Sequence, residues 1–509
     1  MDYASADLAA RVEEAGIYSI AVRSSLTPAP ILGERLDNRV LLKREDQQPT
    51  FSFKIRGAAN KILGLPDDTL ARGVICSSAG NHAQGVALAA TRRGARSVIV
   101  MPRSTPEIKV DAVRALGGEV VLHGDTYDDA QALARQRAGD EGLSFVHPFD
   151  DLDVIAGQGT IGREILDQVE GGPDAVFVPV GGGGLAAGIA TYIKVKRPDV
   201  EVYGVEPVDA ASMKAAIAAG QPVTLDQVGS FADGVAVKRV GDATFRLCRQ
   251  HLDGVVTVTT DELCSAIRDI FTDTRTVVEP AGALAVAGLR RHVDDRSLTG
   301  RTLVAVNAGA NMNFNRLGHV TERTAFGDQR EAILAVEIPE RKGSFLAFCQ
   351  ALGDRHVTEF TYRYHDPDLA RIFVGIELRD GANDRYEVID GLKAAGCDVV
   401  DLTDNELAKV HVRHLGGGVV EPEIADERLY RFEFPERRGA LLAFLHSVGV
   451  DWNITLFHYR NHSSDSGRVL VAIQVPPATR NEFQRHLDDL GYPYWDETGN
   501  DAYRLFLRA

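Results

Sequence analysis

Short apolar runs rich in β-branched residues alternate with longer stretches of helical periodicity over residues 38–325 of this chain. Val74-Ile75-Cys76, Ser97-Val98-Ile99-Val100, Glu119-Val120-Val121-Leu122, Ala175-Val176-Phe177-Val178 and Leu303-Val304-Ala305-Val306 predict strands. Residues 84–93, 109–116 and 155–169 lie between them and predict helices. The strands show no in–out alternation, the pattern of parallel sheets covered on both faces by helices. The region is expected to be an α/β domain of two lobes. Ahead of it, Leu8, Val12 and Ala15 fall at helical spacing and predict an amphipathic helix that packs on the domain behind it.

Past residue 326 the pattern changes. Glu337-Ile-Pro-Glu-Arg-Lys-Gly343-Ser-Phe-Leu-Ala-Phe348 recurs 96 positions later as Glu433-Phe-Pro-Glu-Arg-Arg-Gly439-Ala-Leu-Leu-Ala-Phe444. Duplicated modules follow from this repeat. Each copy has a strand (332–338; 429–434), a turn with glycine, a helix, a second strand (359–364; 455–459) and a third (372–378; 468–475). That order predicts a ferredoxin-like α+β unit. The expected domains are 1–325, a first module at 326–408, a Gly-rich linker at 409–426 and a second module at 427–509.

Composition narrows the function classes. At 44% hydrophobic and 25% charged over 509 residues, the chain is ordinary for a globular protein of several domains. Its 56 Lys and Arg against 72 Asp and Glu give a net charge of −16, and no long basic run offers a footprint for nucleic acid or an anionic membrane. Five widely spaced cysteines without a CxxC pair argue against a disulfide framework or a zinc site. His411 and His414, at i and i+3, lack a completing ligand, so no metal is expected. The acidic N-terminus does not resemble a signal peptide, no segment predicts a membrane span, and a cytoplasmic location is expected.

Three stretches carry candidate chemistry. Thr50-Phe-Ser-Phe-Lys-Ile-Arg-Gly57 sets Lys54 between Phe51 and Phe53, with Arg56 close by. Burial against the rings and a cationic neighbour both favour the neutral amine, which can attack an aldehyde. Ser77-Ser78-Ala79-Gly80-Asn81-His82 joins a predicted strand to a helix, where small residues and a helix N-terminus favour an anion such as a carboxylate. Gly181, Gly182, Gly183 and Gly184, then Leu185, occupy a second strand-to-helix junction. Four glycines there cost conformational entropy, and close approach of bare N–H groups to a phosphate supplies a reason for them. A nucleophilic lysine, an anion-binding loop and a phosphate cradle together point to pyridoxal phosphate.

SFKIRGA around Lys54, SSAGNHAQG from Ser77, PVGGGGLAAG from Pro179, FADGVAVKR from Phe231, EPAGALA from Glu279 and AGANMNF from Ala308 resemble the fold-type-II pyridoxal-phosphate enzymes. Within that fold type the chain is similar to the biosynthetic threonine ammonia-lyase family over nearly its whole length. The resemblance implies a two-lobed catalytic domain with parallel sheets followed by two ACT-like regulatory modules. It implies Lys54 as the residue that carries the cofactor and later takes the Cα proton, with Phe53 beside it in the cofactor site. Asn81 would partner the ring oxygen, and Gly181 to Gly184 with Leu185 the phosphate. Ser78, Gly80, Asn81 and His82 would surround the substrate carboxylate. In place of the family's usual serine, threonine or cysteine at the pyridine nitrogen this chain has Ala308. Losing one neutral hydrogen bond costs about 0.5–1.5 kcal/mol, so activity should weaken rather than vanish.

The resemblance also implies the reaction and its control: deamination of L-threonine to 2-oxobutanoate and ammonium, the committed step of isoleucine biosynthesis, inhibited by isoleucine and opposed by valine, in a homotetramer. Effectors would sit near Gly343, Ser344 and Phe345 in the first module, and near Gly439, Ala440, Leu441 and Leu442 in the second. The catalytic motifs are shared with broader serine/threonine dehydratases, serine racemases and β-replacing synthases. The duplicated half favours a regulated biosynthetic enzyme. From a different class, an amino-acid sensor with blunted chemistry fits the same motifs.

Overall fold

The computed structural model describes residues 3–339, 344–353, 355, 357–362, 368–414, 424–435, 452–460 and 466–507. Two units divide the chain, Met1–Phe314 and Asn315–Ala509.

In the first unit, β1 (Leu26–Pro28), β2 (Arg39–Arg44), β3 (Val74–Ser77), β4 (Ser97–Met101), β5 (Glu119–Leu122), β6 (Ser144–Phe145), β7 (Ala175–Pro179), β8 (Glu201–Pro207), β9 (Gly254–Val258) and β10 (Thr302–Asn307) form two sheets. The larger has the order β1-β2-β10-β7-β8-β9, parallel except for the β1–β2 pair. The smaller, β5-β4-β3-β6, is parallel throughout. These are the two lobes expected from the uninterrupted apolar runs, and β3, β4, β7 and most of β10 are buried along their length.

The chain crosses from one sheet to the other between β2 and β3, through the helix Lys54–Leu63. Its Ile55, Ala58, Ala59 and Ile62 belong to the core of the smaller lobe, while Phe53 just before it packs against the core of the larger. Gly57 and Gly157 let this helix press against the helix Leu152–Gln168: a Cβ on Gly57 would lie 2.8 Å from the Val154 carbonyl oxygen, and one on Gly157 2.6 Å from that of Arg56. Lys54 is thereby fixed at the junction of the lobes.

Beneath it lies a buried ionic cluster. Arg56 pairs with Glu45 at 2.7 Å and with Glu164 at 2.6 Å, and Lys43 pairs with Glu164 at 2.6 Å. Two cations and two carboxylates from β2, the turn after it and two helices satisfy one another there, as buried charges must.

The second unit contains two antiparallel sheets. β11 (Glu331–Pro339), the helix Ser344–Leu352, β12 (Val357–Tyr362), β13 (Leu369–Glu377), the helix Gly381–Ala394 and β14 (Asp398–Asp401) build the first, with order β12-β13-β11-β14. β15 (Glu427–Pro435), β16 (Ile454–Arg460), β17 (Ser466–Gln474), the helix Arg480–Leu490 and β18 (Tyr494–Asp496) build the second in the corresponding order β16-β17-β15-β18. A second helix and a fourth strand in the first copy complete the βαββαβ arrangement that the sequence pattern gave only in part. The duplication extends to single bonds. Ile333 N donates to Thr403 Oγ1 and Leu429 N to Thr498 Oγ1, each at 3.1 Å. Asn405 and Asn500 cap corresponding short helices and bond to each other, Nδ2 to Oδ1, at 2.9 Å.

The expected linker begins inside folded structure. Residues 409–414 run through the end of the helix Glu406–Val410 and a 3-10 turn, and Val410, His411 and Val412 are buried. Ser344 opens its helix as expected from the repeat. Gly343, Gly439, Ala440, Leu441, Leu442 and the side chain of Phe345 lie outside the described residues. Among the described residues no helix is long and apolar enough to cross a membrane.

Candidate active site

Segments far apart in the chain meet around Lys54. Ser52 pairs with Gly309 in an isolated antiparallel bridge, Phe53 N donates to the Ala308 carbonyl at 3.1 Å, and Ala310 N donates to that of Phe51 at 2.9 Å. The start of the lysine helix is thus stitched to the carboxyl end of β10, where open α/β sheets present their ligand sites. Lys54 Nζ donates to the Pro148 carbonyl at 2.9 Å and lies 5.2 Å from the centre of the Phe53 ring.

Burial pulls the Lys54 ammonium down to about 8, against a smaller upward pull from the Glu279 carboxylate. The direction and the burial match the sequence expectation, but two of the neighbours invoked for it do not contribute as expected. Arg56 is neutralised by Glu45 and Glu164 and points into the ionic cluster, and Phe51 is 58% exposed rather than packed on the lysine.

The glycine loop follows β7 and opens the helix Gly184–Lys196, whose first-turn N–H groups have no acceptor inside the helix. Gly183 sits at φ +94°, a conformation that side chains other than glycine strain to reach. The loop is also sterically confined. A Cβ on Gly182 would overlap the Phe149 ring, one on Gly183 would come within 2.8 Å of Met213 and 2.9 Å of Thr244, and one on Gly184 within 2.9 Å of the Phe149 carbonyl. Thr244 Oγ1 donates to the Gly182 carbonyl at 2.6 Å. A bare-backbone cradle at a helix N-terminus, a few elements from an amine with a lowered pKa, fits a phosphorylated aldehyde such as pyridoxal phosphate.

Asn81 begins the helix Asn81–Arg92. Its Nδ2 donates to Glu279 Oε1 at 2.6 Å, and its Oδ1 accepts from Asn311 Nδ2 at 2.7 Å. Ser78 Oγ accepts from Gly80 N at 3.2 Å, and a Cβ on Gly80 would meet nothing within 4 Å, so this loop borders open space at a helix N-terminus. His82 differs from expectation. Its ring is buried, Nε2 lies 2.9 Å from the Val146 carbonyl, and burial lowers its pKa to about 3, so the imidazole is neutral and turned into the lobe.

Ala308 is buried among Val304, Val306 and Leu185. Strand alternation turns Asn307 to the opposite face, where both of its amide atoms are buried without a partner among the described residues.

Sequence reasoning did not reach His147-Pro148-Phe149-Asp150. Pro148 receives Lys54, and Phe149 packs against the glycine loop. The Asp150 carboxylate accepts from Ala243 N at 2.9 Å and Thr244 N at 3.2 Å, capping the helix Asp242–His251 that braces the same loop. The available signal was position, directly after β6 at the carboxyl edge of the smaller sheet. Glu279 and Asn311 stood in quoted motifs, but nothing in their spacing pairs them with Asn81.

Residues 20–309 match the family model described as pyridoxal-phosphate dependent enzyme. Residues 322–412 and 420–507 match the C-terminal regulatory domain of threonine dehydratase. The chain is 54% identical to the L-threonine dehydratase biosynthetic IlvA of Burkholderia multivorans, over 99% of this chain and 100% of that one. It is 51% identical to the protein of the same description from Escherichia coli, over 97% and 96%. Among solved structures, the processed form of threonine deaminase isoform 2 from Solanum lycopersicum superposes with a TM-score of 0.63 at 45% identity, covering 64% of this chain and 90% of that one.

Proposed function

The chain belongs to the biosynthetic threonine dehydratases, pyridoxal-phosphate-dependent lyases with a C-terminal regulatory domain, and on that premise we propose how its residues divide the work. When bound, the cofactor supplies an electrophilic aldehyde and a ring that accepts the electron pair left at the substrate Cα. Lys54 would be the residue that holds the aldehyde. Burial lowers its pKa to about 8, so far more of it is neutral near pH 7 than of an ordinary lysine. That neutral Nζ takes the Cα proton. The backbone N–H groups from Gly181 to Leu185 would hold the phosphate, Asn81 Nδ2 would donate to the ring oxygen, and the Ser78–Gly80–Asn81 loop would take the substrate carboxylate at the helix N-terminus. The observation that carries this reading is that Lys54, at the junction of the lobes, is buried with a backbone carbonyl as its acceptor, and that burial lowers its pKa.

We further propose isoleucine as the inhibitor acting through the duplicated modules, with valine opposing it, in a homotetramer. Support comes from the match of both copies to a regulatory domain. An inhibitor must favour a less active state by differential affinity. The test is 2-oxo acid release from threonine and from serine, with and without isoleucine and valine. A threonine saturation curve made sigmoidal by isoleucine, and restored by valine, is the expected result. Unchanged kinetics at saturating isoleucine would reduce the modules to an assembly device.

A further inference from the structure

An asparagine amide can sit either way round, and the choice decides whether it offers a hydrogen or a lone pair to a ligand. For Asn81 the choice is traceable to a backbone carbonyl. The Thr50 oxygen can only accept, so Asn311 must turn Nδ2 toward it, at 2.7 Å. The same nitrogen carries a second hydrogen, delivered to Asn81 Oδ1 at 2.7 Å. Asn81 is left with Nδ2 on its other side, where one hydrogen goes to Glu279 Oε1 at 2.6 Å. The remaining hydrogen on Asn81 Nδ2 is the one left to donate.

Glu279 directs one carboxylate oxygen to this arrangement. It immediately precedes the helix Pro280–Arg296, yet its side chain makes no capping bond to that helix. The space it uses exists because position 309 is glycine, where a Cβ would overlap the Glu279 carboxylate.

We propose that Asn311 and Glu279 are positioning residues that lock the Asn81 amide with its remaining Nδ2–H available to the ring oxygen of pyridoxal phosphate. This rests on the reading of Asn81 as the ring-oxygen partner. Asn311→Asp removes the donor that Thr50 demands and puts a carboxylate against the Asn81 oxygen, which releases or reverses the amide.

The test uses full-length protein freed of cofactor and titrated with pyridoxal 5′-phosphate, recording affinity and the visible absorbance with its pH dependence. Asn311→Asp and Asn81→Ala should each weaken binding about three- to tenfold, the scale of one lost hydrogen bond, and displace the absorbance in the same direction. The double variant should add little to either, because both act on one contact. Glu279→Gln, which keeps an oxygen for Asn81, should stay nearer the native behaviour than Glu279→Ala. If Asn311→Asp does not fold, Asn311→Ala carries the same comparison without the charge. Native absorbance and affinity in the Asn311 variants beside a displaced Asn81→Ala, or fully additive losses, would overturn the positioning and leave the role of Asn81 standing. Native behaviour in Asn81→Ala would overturn both.

Discussion

Lys54 Nζ donates to the carbonyl oxygen of Pro148 at 2.9 Å, an uncharged acceptor that favours the ammonium less than a carboxylate would. A carboxylate in that place would raise the pKa and oppose nucleophilic attack. Because burial instead lowers it to about 8, covalent uptake of pyridoxal phosphate by the apoenzyme should speed up about tenfold per pH unit below 8 and level off above it. Stopped-flow absorbance across pH 6–10 measures this. A rate still climbing at the pH of an ordinary lysine would contradict the burial argument.

Gly183→Ala should weaken cofactor binding and lower the melting temperature, since it places a Cβ at φ +94° within 2.9 Å of Thr244. Pyridoxal lacking its phosphate serves as the control. A loss of affinity that is larger for the phosphorylated than for the unphosphorylated compound locates the defect at the phosphate cradle, and equal losses would place the phosphate elsewhere.

Glu164→Gln breaks the buried cluster and should cost about 3–5 kcal/mol at neutral pH, by leaving Arg56 and Lys43 short of a charge. Burial pushes the Glu164 carboxyl up, but the bonds from Arg56 and Lys43 outweigh it and hold its pKa below the usual value. A depressed carboxylate contributes stability above its unfolded pKa and loses it as pH falls through the folded one. The gap between native and variant in denaturant unfolding should therefore be full at pH 7 and shrink below about pH 4. A gap independent of pH would mean Glu164 acts by packing alone.

Ala308→Ser should tighten cofactor binding by up to about tenfold, by supplying one hydrogen bond to the ring nitrogen at a position already buried beside the site. A weaker affinity would show the hydroxyl buried without a partner, and equilibrium titration decides between the two.

The strands of both lobes were legible where burial on both faces leaves an unbroken apolar run, as in β3, β4, β7 and β10. β8 is less so, because Glu201, Gly204 and Glu206 interrupt it; Glu206 is buried at the strand's end and accepts from Met213 N at 2.7 Å and Lys214 N at 2.9 Å. Of the site, the lysine and the glycine loop were legible because their chemistry is local to a few consecutive residues. Asn81 was singled out in the sequence, but its hydrogen-bond partners come from residues 279 and 311, brought near only by the fold. The sequence places His82 beside the anion loop, and only the structure shows its ring turned to Val146. The repeat exposed the modules, while the packed start of the expected linker was hidden by its glycines and histidines.

The central claim is that Lys54 carries the cofactor and the threonine chemistry. Borohydride reduction of the purified holoenzyme, followed by peptide mass spectrometry, should place the cofactor on Lys54, and Lys54→Ala should lose both that attachment and 2-oxobutanoate release while staying folded. Attachment to any other lysine, or threonine turnover surviving in Lys54→Ala, would contradict it.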